Sequence, residues 1–285
     1  MPNATDFQSL ATLIPLLSKY VMLVNEQIGN LQPRTGAGQQ ETLNAANLQL
    51  HFTLTNLVTT NTQLCANISP NAGPGSVPLW FLPYQRKATT TMTIPAGNAG
   101  PAVFMTSMLS GCTVKVHGTA ANPTISHANA ADVYETTYNA TANANAHLGD
   151  AAKHAAAERA ANTATTNAIN NMLPGVPMGA TQGTFAKSDY FDRLTDQTIF
   201  AAKQRMKDEV PSGRRITAFT PEMIGPKPRI GGFVCGLRDA NDDWSFFAQA
   251  TVDTHVETRG RNPFKSAVTM RDTATTLGRP IQVFP

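Results

Sequence analysis

Val103-Phe-Met-Thr-Ser-Met-Leu-Ser-Gly-Cys112-Thr-Val-Lys-Val116 reads as two β-strands, Val103 to Leu109 and Thr113 to Gly118, joined at a tight Ser110-Gly111 step. β-branched and aromatic residues suit a pleated, half-buried surface, and glycine supplies the sharp turn between the runs. A third run, Thr124 to His127, follows a turn at Ala120 to Pro123, so the segment predicts consecutive sheet strands.

Upstream, Leu48 to Leu54 alternates apolar and polar residues and is followed by β-rich Leu57 to Cys65, which predicts two adjacent antiparallel strands. Leu79-Trp-Phe-Leu82 is a short apolar strand bounded by Pro83, and Thr89 to Ile94 alternates again. Phe7, Leu10, Leu13, Ile14, Leu17, Val21 and Val24 recur at helical spacing and predict an opening helix over about 6–28.

Downstream, about 129–172 is dominated by Ala, Asn, Thr and His, and predicts one or two helices with small, polar faces. A flexible low-complexity insert is the alternative, because few large apolar groups anchor the segment. Helical character resumes from Asp189 to Val210, and strand signals return at Arg215 to Phe219, Ile230 to Leu237 and Trp244 to Val252. Gly231 and Gly232 predict a close backbone approach or a bulge, and Asp239 to Asp243 the turn of a hairpin. Strands at both ends with helices between predict one α/β domain over 1–285: two packed, mostly antiparallel or mixed β-sheets, sandwich-like and flanked by helices.

A hydrophobic fraction of 41% is enough for a core, and 14% charge leaves a largely neutral surface. Fifteen of the twenty-two Lys and Arg residues fall between Lys187 and Arg279. A basic face of that kind steers an acidic protein or a nucleic acid. Zinc-finger spacing, an aromatic-basic RNA motif and repeated basic helices are all missing, so a protein partner is expected ahead of a nucleic acid. Cys65, Cys112 and Cys235 are too few and too scattered for a disulfide framework or a CxxC zinc site. The apolar run Leu10 to Val24 is interrupted by Pro15, Ser18 and Lys19 and has no basic leader, so neither a Sec signal nor a membrane span is expected.

Within the central stretch, Cys112 stands just past a glycine bend where a carbonyl carbon could approach its sulfur, and backbone N–H groups around Gly111 and Cys112, in the turn begun by Ser110, are candidate oxyanion donors. A thiol needs a nearby imidazole to become nucleophilic. His117, five positions on, points to the opposite strand face. His127 returns alongside Cys112 on the next strand and is favoured as the base. Thr106 shares the parity of Cys112 and is a candidate to bond the substrate or steady the imidazole. The plain alternative is that Cys112 is a small core residue and His127 a satisfied one. Asp239, Asp242 and Asp243 lack the pattern of a calcium loop and read as a solvated turn. His147 and His154 would share a helix face, but without neighbouring ligands they read as polar surface. Cys65 and Cys235 read as buried small residues.

Leu109-Ser-Gly-Cys112 resembles the LSGC signature of the bacterial toxin glutamine deamidases, the group of the Burkholderia lethal factor and the cytotoxic necrotizing factors and, more distantly, the chemoreceptor deamidases. Leu79-Trp-Phe-Leu-Pro-Tyr84 is similar to the segment ahead of the active-site strand in the lethal factor, and Ile230-Gly-Gly-Phe-Val-Cys-Gly236 to a glycine-paired strand late in it. The match covers about Leu48 to His127 and Ile230 to Gln249; the Cys-to-His interval is closer to that of the necrotizing factors. The resemblance implies Cys112 as nucleophile, His127 as base and Thr106 as assisting hydroxyl, with no metal or organic cofactor. It implies a toxin or effector made in a bacterial cytoplasm and acting in the host cytosol on a host protein that bears a reactive glutamine. That host protein would be a translation-initiation RNA helicase or a Rho-family GTPase, with no membrane as partner. Thiol proteolysis, transglutamination and non-catalytic binding are the other outcomes compatible with the same residues.

Overall fold

The computed structural model describes the chain except residues 1, 32, 34–35, 37–38, 57–62, 98–99, 110, 192–228, 260–267 and 277–278. The expected strand Arg215 to Phe219, most of the helix Asp189 to Val210 and much of the basic stretch lie outside the described residues.

Leu10–Lys19 forms the first helix (α1), opened by Ser9, whose hydroxyl accepts the Ala11 N–H. Pro15 inside it removes one hydrogen bond at a cost of about 3 kcal/mol. Leu13, Leu16 and Leu17 are buried beneath it, each worth about 1.5–3 kcal/mol, and outweigh that cost. The helix stops at Tyr20, short of the expected end near residue 28, because Val21–Glu26 is instead a strand (β1) lying parallel to Gln63–Ser69 (β4). Val21 and Val24 fit a helical stripe as well as a strand, and pairing with β4 decides between them.

The central sheet contains β1, β4, Gln49–Asn56 (β3), Val77–Leu82 (β5), Val103–Thr106 (β7), Arg229–Arg238 (β11), Trp244–Arg259 (β12) and Val268–Thr276 (β13). They run in the order β1-β4-β3-β5-β7-β11-β12-β13, and Ile281–Phe284 (β14) also pairs with β12. The β1–β4 and β5–β7 pairs are parallel and the others antiparallel. The second sheet contains Gln40–Thr42 (β2), Thr89–Thr93 (β6), Thr113–Thr119 (β8), Asn122–Ala128 (β9) and Thr181–Phe185 (β10), in the order β10-β8-β9-β6-β2.

Strand alternation sorts the core into two clusters. Trp80, Leu82, Phe104, Val234 and Phe246 of the large sheet meet Met92, Val114, Val116, Ile125 and Phe185 of the small one. On the far face of the large sheet, Leu79, Phe81, Met105, Phe233 and Phe247 meet Phe7, Leu13 and Leu17. The fold is therefore α/β with two packed mixed sheets, and α1 covers the outer face of the large one.

The Ala/Asn/Thr-rich segment is helical: Ala131–Ala144 (α2) and Asp150–Met172 (α3). Ala157, Ala161, Thr165 and Ile169, four apart, make one buried stripe on α3, which explains the small-residue composition. Ile169 packs with Ala128 at the end of β9, and Lys115 Nζ on β8 donates to Pro174 O just beyond α3, at 3.2 Å. His147 lies in the turn between the helices and not on one helix with His154, whose Nδ1 bonds the Tyr138 hydroxyl at 2.6 Å. Asp239 makes the expected hairpin turn by accepting the N–H groups of Asn241 and Asp243.

Gly231 and Gly232 mark a close backbone approach. A Cβ on Gly231 would lie 2.8 Å from the Leu109 carbonyl oxygen, and one on Gly232 would lie 2.7 Å from Phe185. Leu109 and Gly232 exchange backbone hydrogen bonds of 2.8 and 3.0 Å, so β11 anchors the entry to the Cys112 bend. No helix among the described residues is long and apolar enough to cross a membrane.

Candidate functional site around Cys112 and His127

Cys112 immediately precedes β8, and His127 lies on β9 opposite Val114. Extending that register by two residues sets Cys112 against Asn129, with His127 diagonal to it on the same sheet face. Antiparallel partners share a face, so Cys112, Val114, His127 and Asn129 all point inward between the sheets. His117, of opposite parity, lies on the outer face of β8.

Thr106 reaches the imidazole from the other sheet. It ends β7, where its Oγ1 donates to Leu82 O at 2.8 Å and stands 2.7 Å from His127 Nδ1. A carbonyl oxygen only accepts, so the single hydroxyl proton goes to Leu82 and Nδ1 must be the donor in the second bond. That fixes the Nδ1–H tautomer and leaves the lone pair on Nε2, which has no hydrogen-bond partner among the described residues. Complete burial pushes the imidazole pKa down to about 3, so the ring is neutral at ordinary pH.

Tyr84 follows β5, and its half-buried ring stacks on His127 at 5.6 Å between centroids. The turn carrying it is held from both sheets: Tyr84 N–H donates to Ser107 Oγ, and Thr90 Oγ1 donates to Pro83 O. Burial, and secondarily the proximity of Cys112, pushes the Tyr84 phenol pKa up.

Gly111 adopts φ +82°, the left-handed region that favours glycine, with open space where a Cβ would be. Its N–H is not an open oxyanion donor as the sequence suggested: it donates to the Tyr190 hydroxyl at 3.0 Å, and that hydroxyl donates to Cys112 O at 3.2 Å. Tyr190, on the short helix Lys187–Phe191 (α4), is fully buried and braces the bend. Ser110 lies outside the described residues.

Asn129 was not singled out by sequence. Its Oδ1 accepts the backbone N–H groups of Lys87 and Ala131, at 3.0 and 3.2 Å, and its Nδ2 donates to Cys112 Sγ at 3.0 Å. Composition assigned it to the helical insert, whereas its position two residues beyond His127 is the signal that could have found it.

Cys112 and His127 are 1% and 0% exposed, so the site is closed in this conformation. A cavity of about 380 Å³ lies nearby, bounded by Thr113, Thr165, Ile169, Thr184 and Lys187, but Thr113 has the opposite parity to Cys112, so this cavity does not open onto the sulfur. Cys235 is buried and its thiol pKa is pushed up by that burial; Cys65 is only half-buried, contrary to expectation, and burial raises its pKa as well. Among the described residues no cluster of three or more His, Cys, Asp or Glu could hold a metal ion. Comparison with known proteins gives no matching family model and no significantly similar curated protein.

Proposed function

We propose that the chain is a cysteine-dependent glutamine deamidase of the toxin or effector type, acting on a host protein. The observation that carries this reading is the Thr106 hydroxyl shared between Leu82 O and His127 Nδ1, which leaves Nε2 as the basic nitrogen in the row that also holds Cys112. The LSGC resemblance supplies the substrate class: a glutamine side chain, in an RNA helicase of translation initiation or a Rho-family GTPase.

In the proposed reaction Sγ, which makes no hydrogen bond to Nε2 in this conformation, moves up to it as the site opens; Nε2 takes the thiol proton and Sγ bonds to the carboxamide carbon, moving the C=O π pair onto oxygen. The tetrahedral adduct collapses, and the C–N bond breaks with the imidazolium proton leaving on ammonia. Water, deprotonated by Nε2, then attacks the thioester; the C–S bond breaks, the imidazolium proton returns to sulfur, and glutamate and the thiol are released. Because the sulfur is buried, the glutamine enters only when the covering groups part, and Tyr84, half-exposed against the imidazole, is the natural one to move.

Incubating the protein with host lysate and mapping glutamine-to-glutamate changes by peptide mass tests the reading. Conversion at one or a few sites by the wild type, absent with Cys112→Ser, is expected. Conversion by Cys112→Ser at the wild-type rate removes Cys112 as nucleophile.

The burial of the Cys–His pair favours one second reading, a non-catalytic binding protein in which both residues are core. Retention of target proteins without any change in their mass, equally by wild type and Cys112→Ser, would establish it.

A further inference from the structure

We infer that Asn129 is a catalytic residue of this site, the side-chain donor that bonds Sγ at rest and takes the substrate oxygen as it becomes the oxyanion. This rests on the deamidase reading and adds a side-chain oxyanion donor to it.

Three observations lead to it. The Gly111 N–H, which the sequence offered as a donor, is engaged by the Tyr190 hydroxyl, itself fixed to Cys112 O. Asn129 is turned the right way round: two backbone N–H groups hold Oδ1, which can only accept, so the amide plane is fixed and Nδ2 faces the sulfur. Finally, Asn129 is 4% exposed, and its anchors lie at a left-handed Lys87 (φ +65°) and at the start of α2, so the amide is held by main chain on both sides.

When Sγ bonds the carboxamide carbon, the carbonyl oxygen is two bonds from the sulfur and falls within hydrogen-bond reach of a donor that already touches Sγ. As the π pair moves onto that oxygen, an Nδ2–H receives the growing charge. When the C=O re-forms and ammonia leaves with the His127 proton, the charge on that oxygen and its hold on the Nδ2–H both fall. Nδ2 carries two protons, so it can serve sulfur and oxygen without moving.

Asn129→Asp separates this role from a structural one. A carboxylate still accepts both the Lys87 and Ala131 N–H groups, so the fold is kept, but it has no proton to donate. Asn129→Ala removes the donor without adding charge. If it does not fold, Asn129→Ser takes its place, since a hydroxyl still accepts the Ala131 N–H but is too short to reach Sγ.

Two readouts are taken, both at neutral pH. The first is Cys112 alkylation by iodoacetamide, followed by peptide mass with Cys65 as the internal reference. It needs no glutamine substrate. The second is ammonia release from benzyloxycarbonyl-Gln-Gly. Cys112 alkylation is expected to slow at least about tenfold in Asn129→Asp and in the neutral variant alike, with Cys65 unchanged, and the kcat for ammonia release to fall about 100-fold with KM little changed. A folded neutral variant that alkylates at the wild-type rate overturns the inference, even if Asn129→Asp is slow, because charge alone would then explain the aspartate. Slowed alkylation in every variant, with neither ammonia release nor any glutamine-to-glutamate change in host lysate by the wild type, upholds the Asn129–sulfur contact and defeats the deamidase reading instead.

Discussion

Thr106 shows how one hydroxyl proton sets the chemistry available to its neighbour. With its proton on Leu82 O, Thr106 can only accept from His127, and the imidazole lone pair is left on Nε2. Thr106→Val removes that restraint and strands a buried N–H at a cost of about 1–3 kcal/mol. The proposed deamidation is expected to fall by about 100-fold, the low end of what general acid–base catalysis supplies. Nitrogen NMR of the imidazole checks the cause, since the Nδ1–H signature should give way to a mixture of tautomers; an unchanged tautomer with full activity would remove Thr106 from the mechanism.

His127 also makes stability depend on pH. Its folded pKa, about 3, lies below the ordinary 6.5, so between those values the unfolded chain binds a proton that the folded chain does not. Stability is complete above that window and is lost as pH falls through it, with a slope approaching about 1.4 kcal/mol per pH unit. His117, also held low by burial and then by Lys115, acts in the same sense. Denaturant melts between pH 7 and pH 4 are expected to show a shallower decline for His127→Gln than for the wild type; equal slopes would mean that His127 is not buried neutral.

At the scale of elements, the Cys112 bend is positioned by elements distant in sequence. β11 holds Leu109 through Gly232, and α4 holds Gly111 and Cys112 through Tyr190. Gly231→Ala would press a methyl group against the Leu109 carbonyl, a backbone atom that cannot turn aside, and is expected to cost about 1–3 kcal/mol as overpacking does. Because Leu109 leads into the bend, Cys112 alkylation should change along with the melting temperature. A lower melting temperature with an unaltered alkylation rate would show that the bend does not depend on β11.

Many strands were legible, since alternation and β-branched content mark β3, β5, β6, β8, β9 and β11 to within about two residues and the start of β12, which runs seven residues past the expected Val252. The end of the opening helix was not, because the apolar spacing at Val21 and Val24 suits both conformations and only β4 distinguishes them.

Across the whole molecule, the two ends of the chain meet in the large sheet. Gln249 on β12 is 1% exposed and accepts the Met22 N–H at 2.9 Å, while its Nε2 donates to Leu17 O and Tyr20 O. One buried amide thus holds the corner where α1 turns into β1. Gln249→Leu keeps the volume but leaves the buried Met22 N–H unpaired, at about 1–3 kcal/mol. Hydrogen exchange should quicken from Leu10 to Glu26 ahead of the rest of the sheet; uniform exchange across the molecule would refute a local anchoring role. The sheets also approach closely at Gly183, where the Val283 carbonyl oxygen lies 1.4 Å from where a Cβ would stand.

Local pattern alone determined most of the strands between Gln49 and Ala128 and the β11–β12 hairpin, the helical Ala/Asn/Thr segment, the close approach at Gly231 and Gly232 and the grouping of Thr106, Cys112 and His127 as candidates. These follow from periodicity, turn chemistry and strand parity, which are properties of neighbouring residues. Only tertiary structure decided that Thr106 reaches His127 from the opposite sheet, that Tyr190 occupies the Gly111 N–H and that Asn129 faces the sulfur. Each of these depends on which groups the packed sheets bring within 3.5 Å, and hydrogen-bond capacity, one proton on a hydroxyl and none on a carbonyl, can be allotted only once every partner is in place.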